Sequence, residues 1–100
     1  VARQQLVGDS LAIPGDLEIL KVFPNPTTGQ VRLEFNTPES GTYSLELYNP
    51  LGQLVRKRPL TVTLFNRSFI DLDLSDLPRS TYFLILRNGE TEVVERVIVY

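Results

Sequence analysis

Apolar and polar residues alternate with a period of two along most of the chain. In one segment Val31, Leu33 and Phe35 are separated by Arg32 and Glu34. Successive side chains of a β-strand point to opposite faces, so this period places the apolar set in a core and the polar set in water. Turn residues interrupt the alternation at regular spacing, and no segment shows a convincing helical period of 3.6. The pattern predicts an all-β, Ig-like antiparallel β-sandwich of seven or eight strands.

The predicted strands follow from these segments. They cover residues 17–23, 30–36, 42–48, 53–58, 60–65, 69–74, 82–87 and 91–100. Leu33, Leu45, Leu72 and Leu84 each lie mid-strand on the inward phase. We therefore expect these four leucines to share one core, since a strand in the correct register buries every second residue.

The first part of the chain differs from the rest. Residues 1–16 contain Gly8, Pro14 and Gly15, lack aromatic side chains and show little patterning. We expect them to be a linker or the end of a preceding domain, and residues 17–100 to form one domain. Because the chain begins Val1-Ala2-Arg3, we expect it to be a piece of a longer protein, with any signal peptide upstream. Uncharged apolar runs reach only about five residues, whereas a bilayer span needs about 20.

The composition excludes several classes of function. The 100 residues include no His and no Cys, which excludes Ser-His-Asp and Cys-His nucleophile systems and zinc sites built on imidazole or thiolate within this chain. Ten basic and twelve acidic residues give a net charge of -2, so no strong basic field exists to hold a nucleic acid. We expect no enzymatic activity, no cofactor, no nucleic-acid partner and no small-molecule substrate.

One acidic cluster, formed by Asp71, Asp73 and Asp76, has two interpretations. A calcium ion takes six to eight oxygen ligands, and such carboxylates could supply part of that set. The favoured alternative is a solvent-exposed face opposite Ile70 and Leu72, because the full ligand set is not visible in the sequence.

A basic triplet, Arg56-Lys57-Arg58, is followed directly by Pro59. It could contact phosphates or acidic polysaccharide. We favour a structural interpretation, in which charge and proline protect an edge strand against the addition of another strand.

Tyr82 follows a turn that contains Leu77 and Pro78. A Leu, a turn and a Tyr at the start of a late strand are typical of the tyrosine corner of Ig-like sandwiches, in which the hydroxyl bonds to upstream backbone. We interpret Tyr82 as a device that supports the fold.

Four sequence blocks occur in a characteristic order. They are Val22-Phe23-Pro24-Asn25-Pro26-Thr27, Leu45 to Val55, Ile70-Asp71-Leu72 with Leu74-Ser75-Asp76-Leu77-Pro78, and Tyr82 to Leu86. Together they resemble the type A C-terminal sorting domains of the type IX (Por) secretion system of Bacteroidetes, over residues 17–100. The positions that carry the family motif are Pro24, Asn25, Pro26, Gly52, Leu77 and Tyr82.

The resemblance implies a sorting label at the C-terminus of an exported protein. An upstream cargo domain in the same chain would cross the inner membrane with a signal peptide and fold in the periplasm. The outer-membrane secretion machinery would then recognise the label and deliver the cargo to the cell surface or the medium. A sortase-like protease would remove the domain, and we expect that cleavage within residues 1–16.

The last predicted strand is apolar on both phases near its end. Asn88-Gly89 before it suits a type I′ hairpin, because both central residues need a positive φ. The phases hold Val93, Val97 and Val99 on one side and Val94, Arg96 and Ile98 on the other. A central strand covered on both faces would explain this pattern, as would a docking surface. We expect the second, read by strand pairing or by side-chain pockets. The segment expected to be read consists of Arg96, Val97, Ile98, Val99 and Tyr100, called below the terminal segment.

Two other functions stay open. An Ig-like or fibronectin-like module that binds glycan or protein would carry a planar row of exposed aromatic side chains. An inert spacer would be followed by further sequence after Tyr100. Most of the nine aromatic residues fall on inward phases or beside turns, which argues against the binding module.

Overall fold

The computed structural model describes residues 17–63, 67–89 and 91–100. Within those ranges the chain forms seven β-strands and no helix, which confirms the predicted all-β class. The strands are β1 (Glu18–Phe23), β2 (Gln30–Asn36), β3 (Gly41–Tyr48), β4 (Leu54–Val62), β5 (Arg67–Asp73), β6 (Ser80–Asn88) and β7 (Thr91–Val99). In the described part of the chain no helix is long and apolar enough to cross a membrane.

The strands form two antiparallel sheets that pack as a sandwich. One sheet has the order β1-β2-β5 and the other β4-β3-β6-β7. Alternate residues from the inner faces build the core. Leu33, Leu45 and Leu84 are buried, and Leu72 is partly buried and packs against them, so the four leucines predicted to share a core do so.

Strand β4 corrects one prediction. Two strands, 53–58 and 60–65, were expected with a break at Pro59, but β4 runs without interruption from Leu54 to Val62. Pro59 lies opposite Ser44 within the ladder to β3. A proline is tolerated there because β4 is an edge strand of the described sheet, and one side of its backbone makes no ladder hydrogen bonds with the other described strands. The predicted end of the second strand, at positions 64 and 65, lies outside the described residues.

The structure corrects the predicted β6–β7 turn at Asn88. Asn88 pairs with Thr91 and belongs to β6, so it is not a central residue of the turn predicted at 88 and 89. Gly89 has φ +59°, as the first position of a type I′ turn requires, whereas Asn88 still belongs to the strand. The pairing of β7 beside residues 82–87 is as predicted.

Two tyrosine hydroxyls fix the chain before two strands. The Tyr82 hydroxyl donates to the Pro78 carbonyl at 2.5 Å, which confirms the tyrosine corner. The Tyr43 hydroxyl makes the same contact with the Glu39 carbonyl, at 2.7 Å and again four positions upstream. Both rings lie in the core.

Two predictions concern residues 1–16, that they are a linker or the end of a preceding domain and that they contain the cleavage site. Both lie outside the described residues.

Candidate functional site

Strand β7, which contains most of the terminal segment, is an edge strand. Among the described strands it pairs in a ladder only with β6. Val97 and Val99 are buried in the core, and Val93 packs against it, whereas Val94 and Arg96 are exposed. The two phases predicted for this strand are therefore confirmed as an inner and an outer face.

The loop between β1 and β2 covers the free edge of the terminal segment. The Asn25 side chain donates from Nδ2 to the Arg96 carbonyl at 2.8 Å and accepts at Oδ1 from the Ile98 amide at 2.9 Å. The Thr27 amide donates to the Ile98 carbonyl at 2.8 Å, and the Thr27 carbonyl accepts from the Tyr100 amide at 2.9 Å. These four hydrogen bonds, called here the Asn25 clasp, occupy the outward backbone groups from the Arg96 carbonyl to the Tyr100 amide.

Short-range contacts hold the loop in this position. Thr27 is buried, and its hydroxyl accepts from the Gly29 amide at 3.0 Å and donates to the Gln30 carbonyl at 2.8 Å. Pro24 and Pro26 flank Asn25 and follow cis peptide bonds. Because prolines have no backbone N–H, neither adds an unpaired donor to the loop. The Pro-Asn-Pro motif is thus next to the terminal segment, although the two are far apart in the sequence.

The other family-motif positions shape turns and the core. Gly52 has φ +80° in a turn in which its amide donates to the Asn49 carbonyl at 2.9 Å, a conformation that favours glycine. Leu77 is partly buried and packs against the core, and Tyr82 forms the tyrosine corner. Tyr82 also stands opposite Val97 of the terminal segment in the ladder between β6 and β7.

The three aspartates of the acidic cluster have separate partners. Asp71 pairs with Arg32 at 2.8 Å, Asp76 pairs with Arg56, and Asp73 accepts from the Ser75 hydroxyl at 2.5 Å. The hydrogen bond from Arg32 lowers the pKa of Asp71, and that from Ser75 lowers the pKa of Asp73. Among the described residues no group of three acidic side chains is arranged to hold a metal ion, so the calcium interpretation gains no support.

The comparison with known families concerns nearly the whole described chain. The model of the family described as "Secretion system C-terminal sorting domain" matches residues 21–100. The chain belongs to this family. The match covers both the Pro-Asn-Pro motif and the terminal segment, and it confirms the resemblance to type IX sorting domains. No curated protein matches the sequence.

Membership has consequences for the class of function. The family consists of sorting signals rather than enzymes, and it implies interaction with the type IX secretion machinery and with an upstream cargo. It also implies export to the cell surface or secretion.

The basic triplet of the sorting domain lies on edge strand β4, as expected. Arg56 and Arg58 stand opposite Leu47 and Leu45, whose side chains are in the core, so both arginines point toward the space between the sheets. Arg56 reaches Asp76, and Arg58 donates to the Asp71 carbonyl at 3.3 Å. The two arginines border a groove of about 210 Å³ that separates β4 from β5. Inward-pointing charges of this kind discourage strand addition at an edge.

The alternation in the sequence does not predict one feature of the four-stranded sheet, a buried carboxylate on its outer face. Glu46 faces away from the core but is only 8% exposed. It accepts hydrogen bonds from the Tyr48 hydroxyl at 2.7 Å and the Ser44 hydroxyl at 3.1 Å, and Arg87 lies 3.4 Å away. The Tyr48 bond is the main reason that the pKa of Glu46 lies below its usual value, and the same bond raises the pKa of Tyr48.

The exposed aromatic side chains of the sorting domain are divided between the two sheets. Phe69 lies on the three-stranded sheet and Phe83 on the four-stranded sheet, while Tyr100 follows the last strand. A planar aromatic row, the expected mark of a glycan-binding module, is therefore not formed by the described residues.

Proposed function

We propose that this domain is the signal that directs an upstream cargo in the same chain across the outer membrane by the type IX system. The cargo passes through the periplasm on its way to the cell surface or the medium. The match of the sorting-domain family to residues 21–100 carries this proposal.

In this proposal the terminal segment is the part that the secretion machinery reads. Val97 and Val99 are buried, so their side chains contribute to folding and cannot be contacted from outside. Arg96 and Tyr100 are exposed, and Ile98 is half-buried on the outer face. A partner of the folded domain can therefore contact the three outward side chains of the terminal segment, which are Arg96, Ile98 and Tyr100.

Removal by a sortase-like protease belongs to the same proposal, with the cut within residues 1–16. The first described strand begins at Glu18, so a cut before that residue leaves every described strand intact. The products would be a free cargo and a complete sorting domain.

The test is a reporter enzyme with a signal peptide, fused to the full chain and expressed in a bacterium that has a type IX system. The fusion should appear at the surface or in the medium. It should stay in the periplasm when residues 96–100 are deleted, or when the host lacks a working machinery. Equal delivery of the truncated and complete fusions would contradict the role of the terminal segment, and retention of the complete fusion would contradict sorting.

A further inference from the structure

The Asn25 clasp limits how a partner can contact the terminal segment. An extended partner strand would need the free backbone groups of the β7 edge, because strand addition works through main-chain hydrogen bonds. From the Arg96 carbonyl to the Tyr100 amide these groups are already bonded to Asn25 and Thr27. Recognition of the folded domain at this segment must therefore use side chains.

The outward side chains of β7 continue onto β6 as one surface. Arg96 stands opposite Phe83, and Ile98 stands opposite Thr81 in the ladder between the two strands. Val94 precedes Arg96 on the same face and is 52% exposed, and Phe83 is 38% exposed. We call Phe83, Val94, Arg96 and Ile98 the terminal patch. Large apolar side chains left open beside one another are typical of interaction sites.

Charge compensation distinguishes Arg96 from Arg87 on the neighbouring strand β6. Arg87, further along β6, is neutralised by Glu46 and by Glu92. Arg96 has no acidic partner among the described residues, although Glu95 is its neighbour in the chain. Glu95 belongs to the opposite phase of β7, together with Val93 and Val97. The patch therefore presents one guanidinium that no described acidic side chain neutralises, with apolar side chains beside it.

We propose that the terminal patch is the docking surface for a protein of the secretion machinery. The partner surface is apolar and carries a carboxylate that pairs with Arg96. Arginine and aromatic side chains in an apolar setting supply much of the affinity of protein interfaces, and a buried charge requires an opposite charge on the partner. This inference rests on the proposed sorting function and extends the site from the terminal segment to Phe83 and Val94.

The experiment uses the same full-chain reporter fusion. Val94→Asp places a negative charge inside the patch, and Arg96→Glu reverses its charge. Each should lower delivery of the reporter by at least about tenfold, the change expected when a central interface contact is lost. Arg96→Lys keeps the charge and should retain most of the delivery. Phe69→Ser, which changes an exposed aromatic residue on the other sheet, is the matched control and should behave like the unmodified fusion.

Unfolding midpoints of the purified fusions separate docking from folding. The inference requires that Val94→Asp and Arg96→Glu keep the midpoint of the unmodified domain while delivery falls. Unchanged delivery by both variants would overturn the inference and leave the sorting function in place, whereas failure of the unmodified fusion would overturn the sorting function itself. Concentration-dependent dimers that Val94→Asp abolishes would show that the patch binds a second copy of the chain, which also overturns the inference.

Discussion

Asn25 and Ile98 are 73 positions apart in the chain, and the Oδ1 of Asn25 accepts the Ile98 amide hydrogen at 2.9 Å. With the bond from Nδ2 to the Arg96 carbonyl, one side-chain amide replaces the donor and acceptor that a neighbouring strand would supply. A loop motif near one end of the domain thus completes the edge of its last strand. Substitutions that disturb this contact should lower the free energy of unfolding and accelerate hydrogen exchange of the amides next to it.

Asn25→Ala removes both bonds to β7. Since a hydrogen bond contributes about 0.5–1.5 kcal/mol net, the free energy of unfolding should fall by about 1–3 kcal/mol in a urea titration. Hydrogen exchange of the Ile98 amide should accelerate more than that of amides between β6 and β7. Asn36→Ala is the matched control, because it removes a single exposed bond of 3.4 Å to Glu18. Equal effects of the two substitutions would contradict the role assigned to Asn25.

The two tyrosine hydroxyls can be tested by Tyr82→Phe and Tyr43→Phe. Each change removes one bond to a backbone carbonyl, Pro78 or Glu39, and keeps the ring. Each should cost about 1 kcal/mol of unfolding free energy, the typical net value of one hydrogen bond. Tyr100→Phe removes an exposed hydroxyl and should leave the unfolding midpoint unchanged. A neutral result for both core tyrosines would show that their hydroxyls contribute nothing to the turns.

Truncation of a core leucine should be much more costly than truncation of an exposed one. Leu84→Ala should lower the unfolding free energy by about 2–5 kcal/mol, because it removes buried apolar contacts and leaves a cavity. Leu51→Ala, at a side chain 83% exposed, should have a negligible effect. Chemical denaturation of both variants measures the difference, and a loss below half a kilocalorie at Leu84 would be incompatible with the register.

Glu46 should make the domain less stable in acid. Its pKa is lowered in the folded state, chiefly by the Tyr48 hydrogen bond, from an ordinary value of 4.5. A carboxyl with a depressed folded pKa binds more protons when unfolded, so its stabilisation is present above the ordinary value and is lost as the pH falls through the folded value. The side chain introduced by Glu46→Gln cannot titrate. The unfolding free energy of this variant should therefore fall less steeply as the pH decreases below the ordinary pKa of Glu46. Parallel curves for the two proteins would exclude this linkage.

The arginines of β4 should keep its edge from pairing with other chains. Replacing Arg56 and Arg58 together by Thr removes the inward charges and leaves a strand-forming sequence at an open edge. Light scattering should then show association that increases with concentration. Lys57→Thr changes the intervening residue, which lies on the other face opposite Glu46. This variant should show the same light scattering as the unmodified protein.

Alternation in the sequence was sufficient to predict the class of fold and the inner faces of its strands. Leu33 and Leu45 are buried because a period of two commits each strand to one orientation. The break predicted at Pro59 was wrong, because an edge strand tolerates a proline and continues through it. Asn88 was wrongly assigned to the turn, because the cross-strand register decides which residues pair and which residues turn the chain.

The parts of the site that escaped prediction depend on contacts between distant segments. Asn25 was assigned to a family motif, but nothing near it in the chain identifies Arg96 and Ile98 as its partners. The alternation in β3 places Glu46 on the outer face of the strand, and its side chain does face away from the core. Its burial results from hydrogen bonds and neighbours on its own sheet, including Arg87 from the adjacent strand β6. The period of two describes orientation relative to the core and contains no information about such neighbours.

The two sides of the Asn25 clasp are synthesised at different times during translation. Asn25 is made early in the domain, whereas its partners on β7 follow all the other described strands in chain order. The clasp therefore cannot close until translation has passed Tyr100. A chain interrupted earlier leaves β6 without its last neighbour and the Pro-Asn-Pro loop without its hydrogen-bond partners. A receptor that requires the clasped strand thereby distinguishes a chain translated through Tyr100 from one truncated before that residue.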